Sequence, residues 1–176
     1  YGSLSTAMLT NGFFARTIVL ESGARSAGQD VSAVDPPERV LVTAKYWAQL
    51  RPGDGNLSAI HPTPRTVDQT DTAKAILRDY RVETETEYAS AESAGDSARC
   101  AMWARSCEHA RKLALIYAVS EYPSSARITD AAATWATSFM RHQTRRMLAR
   151  ASSYVASSEF DALCLRFLRL LSESHG

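Results

Sequence analysis

Three long helical patterns occupy the middle of the chain, and they restrict it to a mainly helical fold. Apolar residues recur at helical spacing from Asp71 to about Ser93, from about Ser97 to Tyr122, and from about Asp130 to Tyr154. The stretch "SAGDS" separates the first pattern from the second, and "YPSSARITD" separates the second from the third. Thr129 is a candidate N-cap for the third helix, and Asp130 in the first turn suits the helix dipole.

Two shorter helices are predicted on either side of these three. Pro36 and Pro37 open a helix through "ERVLVTAKYWAQL", after a loop-like stretch from Gly23 to Pro37 that is rich in Gly, Ser, Ala and Asp. Its apolar face carries Val40, Ala44, Trp47 and Ala48. Near the end, "EFDALCLRFLRLLSES" (Glu159 to Ser174) is amphipathic. Its apolar side carries Phe160, Leu163, Cys164, Phe167, Leu168 and Leu171.

One strand is predicted near the start, in "RTIVLES" (Arg16 to Ser22). Three consecutive large apolar residues, two of them β-branched, are typical of a strand buried on both faces. A lone buried strand is unstable because its backbone groups need partners. Either weak strands around Ile60 and Val67 supply them, or the rest of the sheet lies upstream. We therefore predict a mainly α fold with a minor β element from the edge of a truncated α/β sheet.

The second long helix is almost apolar all round near its end, which is typical of a helix at the centre of a core. Its apolar residues include Met102, Leu115 and Val119. The buried contact between the second and third long helices is expected to involve Trp103, Leu113, Ile116, Trp135 and Phe139.

The composition is that of an ordinary globular chain of 176 residues, with 45% hydrophobic and 22% charged residues. A net charge of +1 by itself indicates neither a nucleic-acid nor a membrane partner. Three scattered cysteines suit a reducing compartment, and no apolar run reaches the length of a membrane span, so we expect a cytoplasmic protein. The chain begins with Tyr1 and has no signal-peptide pattern, so we interpret it as part of a longer protein.

Motifs for nucleotide or nucleophile chemistry are absent from the sequence. There is neither a G-x-x-x-x-G-K-[ST] phosphate loop nor a G-x-S-x-G elbow, so we expect no cofactor in this chain. The four histidines are dispersed and the cysteines lack ligand spacing, so no metal site is predicted. The acidic run "ETETE" (Glu83 to Glu87) has the pattern of a solvated helix face.

A basic face on the third long helix is the best candidate for an interaction site. Arg141 with Arg145, and Arg146 with Arg150, are i,i+4 pairs of like charge, which repel by a few tenths of a kcal/mol each. Either the acidic helix that precedes them or the phosphates of a nucleic acid would offset this repulsion. Both alternatives remain open from the sequence.

Four stretches together resemble the C-terminal half of primase–helicase proteins from prophages and mobile elements. They are "LTNGFFARTIVLESG", "DPPERV…AKYWAQL", "EHARKLALIYAVSE…RITDAAATWA" and "QTRRMLARA". In that family a RecA-like or AAA-like ATPase core comes first, and a G-F-x-x-R segment leads into a late strand of its sheet. The resemblance covers about Leu9 to Leu171. The nucleotide-binding half is absent here, so ATPase activity does not carry over to this chain.

The resemblance implies an organisation and a set of partners. Residues 1–35 would end the ATPase-type sheet, residues 36–156 would form a helical domain, and residues 157–176 would begin a C-terminal, winged-helix-type module. The parent protein would use ATP and magnesium, form a homo-oligomeric ring and act on DNA.

The resemblance also implies roles for individual residues. Arg16 would act as an arginine finger or sensor that reaches toward the γ-phosphate, often across a subunit interface. The alternative is that Arg16 pairs with a nearby carboxylate such as Glu21. The DNA-binding residues would be Arg141, Arg145, Arg146 and Arg150. The alternative to the primase–helicase interpretation is a function of a different class, a non-enzymatic helical module for DNA binding or subunit assembly.

Overall fold

Four α-helices make up most of the structure. The computed structural model describes residues 12–20, 22–24, 27–28, 33–49, 65–154, 163–164, 167 and 170–171. The helices are α1 (Glu38–Gln49), α2 (Asp71–Ser93), α3 (Ser97–Glu121) and α4 (Asp130–Tyr154). Helices α2, α3 and α4 pack on one another as a bundle. The bounds of the three long helices agree with the sequence prediction to within one residue, whereas α1 begins just after the two prolines predicted to open it.

The ends of the long helices are fixed by local hydrogen bonds. The Thr70 hydroxyl accepts from the Ala73 amide (3.1 Å), and the Asp96 carboxylate accepts from the Arg99 amide (2.9 Å). The predicted cap at Thr129 is present, with its hydroxyl accepting from the Ala132 amide at 3.4 Å. These caps satisfy amides that have no partner within the helix.

Gly95 ends α2 in a left-handed conformation, with φ +69°. Its amide donates to the Glu92 carbonyl (3.0 Å), and the Asp96 amide donates to the Ala91 carbonyl (2.9 Å). This pair of bonds is the Schellman motif, in which glycine is favoured because a side chain is strained at positive φ. The turn into α3 is short, so α2 and α3 run antiparallel.

The centre of the bundle is lined mainly by alanine. Five alanines from the three helices have no exposed surface and form one cluster with Leu77, Ala118 and Ile128: Ala73, Ala114, Ala132, Ala133 and Ala136. Small side chains allow the helix backbones to approach closely. The core is then filled by close contacts between helices, without large side chains at these positions. A parallel bridge between Gln69 and Ile128 joins the segments that lead into α2 and α4.

The prediction of a core built on large side chains is only partly correct. Trp103 is buried, and Leu113 and Phe139 are partly buried, but Ile116 is 52% exposed and Trp135 is 44% exposed. The alanines at 110, 114 and 118 face the bundle, and Ile116 lies two residues away, about 200° around the helix. Helix α3 is therefore central through its small residues, whereas its large residues near the end lie at the surface. Trp135 stacks on Phe139 at the flank, with centroids 5.5 Å apart.

The predicted strand from Arg16 to Ser22 does not appear. Phe14–Arg16 form a 3-10 turn, and residues 17–20 and 22 have neither helix nor strand structure. No strand is present in the part of the chain that the structure describes. The apolar run instead packs on the bundle, where Ile18 contacts the cluster of Tyr80, Ala110 and Met140. Val19 also packs on the bundle, whereas Leu20 is 68% exposed. Packing against helices thus accounts for two of the three apolar residues that predicted a buried strand.

Other predictions concern parts of the chain of which the structure describes only some residues. In the predicted helix from Glu159 to Ser174, the five described residues (163, 164, 167, 170 and 171) are helical. The position near Ile60 lies outside the described residues, as do about half of residues 1–35 and most of residues 157–176. No described helix is both long enough and apolar enough to cross a membrane.

The buried alanines at the centre of the bundle, Ala73, Ala114, Ala132, Ala133 and Ala136, form an alanine seam. A larger side chain in this seam should destabilise the bundle. We expect Ala133→Leu to lower the free energy of unfolding by about 1–3 kcal/mol, because the helices must separate to admit the larger side chain. Ala131→Leu is the matched control, since Ala131 is exposed on the same helix and its change should be within about 0.5 kcal/mol. Urea denaturation followed by circular dichroism measures both values. Equal values for the two variants would contradict the close packing.

Candidate functional site

The 3-10 turn that carries Arg16 is shaped by Gly12. The Arg16 amide donates to the Phe13 carbonyl (3.1 Å), and the Arg16 guanidinium folds back to donate to the Gly12 carbonyl (2.9 Å). Gly12 has φ +79°, and a Cβ at this position would come within 2.6 Å of Arg16 Nη1. Glycine is therefore favoured here by its backbone conformation, whereas the exposed guanidinium could move aside to admit a Cβ.

The turn is anchored to the bundle through its backbone and its apolar residues. His109 on α3 donates from Nε2 to the Ala15 carbonyl (3.0 Å), and Ala15 is buried. Ile18 packs against the cluster that contains Tyr80, and Val19 packs against the cluster of Met102, Met147 and Ala151. The backbone of the turn is thus held on α3 and α4, whereas the Arg16 side chain is exposed.

Arg141, the first arginine of the basic face, has an internal acidic partner. Its Nε donates to both carboxylate oxygens of Glu83 (2.8 and 3.0 Å), and its Nη2 donates to Oε2 (2.7 Å). The guanidinium also lies 5.2 Å from the centroid of the Tyr80 ring, in cation–π geometry. Of the two ways to offset the repulsion between the arginines, Arg141 uses the first, a carboxylate of the acidic helix.

The Glu83–Arg141 pair is stabilised in its charged form. Hydrogen bonds from Arg141 lower the pKa of Glu83, and the same bonds raise the pKa of Arg141. Both side chains are only about one third exposed, so water screens their attraction less than at an open surface. The pair therefore ties α2 to α4 at neutral pH.

The other three arginines differ in their surroundings. Arg145 lies 3.5 Å from Glu83 and is 59% exposed, so its ion pair is weaker than that of Arg141. Arg146 is half-buried and Arg150 is exposed, and both have contacts within the chain. Arg145 and Arg150 are thus the two most accessible of the four arginines predicted to bind DNA.

A line of buried hydroxyl groups crosses the bundle beneath these arginines. Tyr80 and Ser106 are 2.6 Å apart at their oxygens, and Ser106 and Thr144 are 2.9 Å apart. Burial raises the pKa of Tyr80, so its hydroxyl remains protonated at neutral pH. Each of the three helices contributes one group, and the network fixes their relative register.

A groove of about 430 Å³ runs between α2 and α3. Trp103, Tyr88 and Cys107 are among its lining residues. Most charges along it are paired: Arg81 lies 3.7 Å from Glu85, and Glu108 accepts from Lys112 and Arg105. These two hydrogen bonds, with that of Lys112 the stronger, lower the pKa of Glu108 to about 2.

A metal centre is not formed by the described side chains, because no three His, Cys, Asp or Glu residues come together among them. The sequence offered the acidic helix as one of two partners for the basic face, and Glu83 on that helix is the partner of Arg141. The contact of Arg141 with the Tyr80 ring was missed, because the sequence does not show which residues of the two helices lie opposite each other.

Comparison of the chain with protein-family models, with curated proteins and with solved structures finds no match in any of the three.

Removing the carboxylate charge of Glu83 should destabilise the bundle. We expect Glu83→Gln to lower the free energy of unfolding by about 1–2 kcal/mol at pH 7, because Arg141 loses its charged partner. Glu85→Gln is the matched control from the same acidic run. Its nearest cation is 3.7 Å away and it is 63% exposed, so its effect should be below about 0.5 kcal/mol.

The effect of Glu83→Gln should also depend on pH. The pKa of Glu83 is lowered in the folded state, so its contribution is present above its unfolded pKa and is lost as the pH falls through the folded pKa. The difference between wild type and Glu83→Gln should therefore shrink in acid. Urea titrations at several pH values measure it, and a difference independent of pH would show that the ion pair is not its source.

Proposed function

We propose that this chain is the helical part of a DNA-replication primase–helicase of the prophage and mobile-element type, in which an ATPase core precedes it. The observation that carries the proposal is the Arg16 turn. Its backbone is clamped on α3 through His109 and Ala15, and its guanidinium is exposed. An arginine that stabilises charge on a γ-phosphate needs this combination of a rigid base and an accessible head group.

The bundle would therefore serve as the support that positions Arg16 in a homo-oligomeric, cytoplasmic ring. ATP and magnesium would be bound by the upstream core, since this sequence contains no phosphate loop. The bond between Arg16 and the Gly12 carbonyl keeps the guanidinium near its own turn, and a phosphate would compete for it as a stronger, charged acceptor.

The basic face supports a second role within the same proposal, contact with DNA. Arg145 and Arg150 are exposed on α4, with Arg146 half-buried between them. Arg141 contributes to this face indirectly, because its bonds to Glu83 hold α4 against α2. The alternative, a DNA-binding or assembly module without an ATPase partner, uses the same face but gives no role to the Arg16 turn.

Arg16 is tested in the full-length protein that contains this chain. We expect Arg16→Ala to lower ATP hydrolysis by about 10³-fold or more with ATP affinity unchanged, because the arginine acts on the transition state. Arg16→Lys should recover little, since a lysine lacks the planar fork. Arg39→Ala is the control, because Arg39 is an exposed arginine on a different element, α1. Unchanged hydrolysis in Arg16→Ala would refute the role.

The support of the turn is tested through His109. His109→Leu removes the donor to the Ala15 carbonyl and leaves Arg16 in place. We expect hydrolysis to fall by up to about 10²-fold through misplacement of the guanidinium, with the helical circular dichroism signal retained. Hydrolysis at the wild-type rate would mean that the clamp does not position Arg16.

The basic face is tested by the salt dependence of DNA binding, in the chain and in the full-length protein. Arg145→Ala and Arg150→Ala should each flatten the slope of log affinity against log salt by about one unit per lost phosphate contact. Arg127→Ala is the control, since Arg127 is exposed in the turn before α4. Identical slopes for all of these proteins would remove DNA contact from the proposal.

A further inference from the structure

A group of aromatic rings lies at the surface where α3 and α4 meet. The Trp135 ring is nearly parallel to the Phe139 ring, at 17°, and is tilted by 38° from the Tyr117 ring. Both centroid distances are 5.5 Å, yet Trp135 remains 44% exposed. The two neighbouring rings restrict the indole, so a planar ligand that stacked on its exposed part would lose little side-chain entropy on binding.

The face of α4 that carries these rings continues into basic residues. Five residues follow one another on it at a spacing of three or four: Trp135, Phe139, His142, Arg146 and Arg150. Trp135, His142 and Arg150 are exposed, whereas Phe139 and Arg146 are half-buried. At 1.5 Å per residue, these positions extend over about 22 Å of the helix. We call these five residues the aromatic–basic stripe.

Acidic side chains of α2 and α4 lie elsewhere. Asp130 is the one acidic residue of α4, and it lies about 140° around the helix from Trp135. The two arginines that pair with Glu83 are Arg141 and Arg145, and neither belongs to the stripe. The stripe therefore presents aromatic surface and positive charge side by side, without a carboxylate of its own helix between them.

A ligand that matches the stripe must carry planar apolar groups and negative charge along one chain. Single-stranded DNA has this chemistry, because its unpaired bases are open to stacking and its phosphates alternate with them. In a duplex the bases stack on one another, so their faces are covered. An apolar protein surface would fit the rings but would leave the arginines without a counter-charge.

We propose that the aromatic–basic stripe binds single-stranded DNA, with an unpaired base stacked on Trp135 and a neighbouring phosphate in contact with Arg150. Binding of this kind combines aromatic stacking with a basic track for the backbone. The inference rests on the DNA contact proposed above for the basic face. It goes further by making the unpaired strand the target and Trp135 the residue that selects it.

The test compares three fluorescently labelled DNA probes by anisotropy, with the chain and with the full-length protein. The probes are a thymidine strand of about 20 nucleotides, longer than a typical single-strand site, an abasic strand with the same number of phosphates, and a duplex. We expect wild type to bind the thymidine strand about tenfold more tightly than the abasic strand, because only the former can stack.

Trp135→Leu should remove this preference, because leucine is apolar but cannot stack on a base. Its affinity for the abasic strand and the duplex should equal that of wild type, and its salt slope should be unchanged, since no phosphate contact is lost. Trp47→Leu is the matched control. Trp47 is 40% exposed, lies on α1 and is not part of the stripe, so this variant should bind all three probes like wild type.

Circular dichroism verifies the helix content of both variants. The wild-type comparison of thymidine and abasic strands needs no variant, so it decides the question even if Trp135→Leu unfolds. Equal affinity of wild type for these two strands would overturn the inference. So would thymidine binding that Trp135→Leu leaves unchanged, or a loss in that variant that is equal for the thymidine strand and the duplex.

Failure of the stacking site is distinguishable from failure of the proposed DNA contact. If Trp135→Leu binds the thymidine strand like wild type while Arg150→Ala flattens the salt slope, the basic face contacts DNA and only the stacking site is overturned. If neither the chain nor the full-length protein binds any of the three probes, the DNA contact and the stacking site are both overturned.

Discussion

The close approach of three helices is the constraint on which the rest of the structure depends, and alanine makes it possible. Ala73 on α2, Ala114 on α3, and Ala133 on α4 have no exposed surface. Alanine has the highest helix propensity and loses no side-chain entropy on burial, so the same residues favour the helices and their packing. Each alanine buries little area, and stability is therefore spread along helices of 23 to 25 residues.

An alanine seam is nearly uniform along its length, so other groups must set how the helices align. The hydroxyl groups of Tyr80, Ser106 and Thr144 join one another across all three helices. Glu83 and Arg141 join α2 to α4 at the edge of this network. Buried polar groups are costly when unpaired, so a shift in register would break these bonds and be disfavoured.

This fixed register also creates the surface that receives the Arg16 turn. Tyr80, Ala110 and Met140 come from three different helices and together form the cluster on which Ile18 packs. His109 lies one residue before Ala110 on α3 and reaches the carbonyl of Ala15. The position of Arg16 is thus determined by packing among α2, α3 and α4, and only its side chain is left to interact with other groups.

Helix bounds could be predicted from the sequence because they are set by local signals, such as the cap at Thr129 and the glycine at position 95. The identity of the core could not, because a helix that is apolar nearly all round does not reveal which side faces inward. The side of α3 that faces inward is the one that carries the alanines. Ile116 and Trp135, which were predicted to be buried, are exposed.

The candidate site was predictable only in part, for a related reason. The four arginines were visible as a cluster, but the pairing of Arg141 with Glu83 joins residues 58 positions apart and depends on tertiary packing. The run from Arg16 to Ser22 was assigned to a strand because apolar residues that pack on helices and apolar residues in a buried strand give the same short pattern.

The central claim is that the bundle holds the Arg16 turn in one place, and an NMR measurement of short interproton distances tests it directly. In the isotope-labelled chain, we expect nuclear Overhauser contacts from the Ile18 methyl groups to the Tyr80 ring and the Met140 methyl group. We also expect a contact between the Ala15 methyl group and the His109 ring. Absence of these contacts, in spectra where those between α3 and α4 are present, would contradict it.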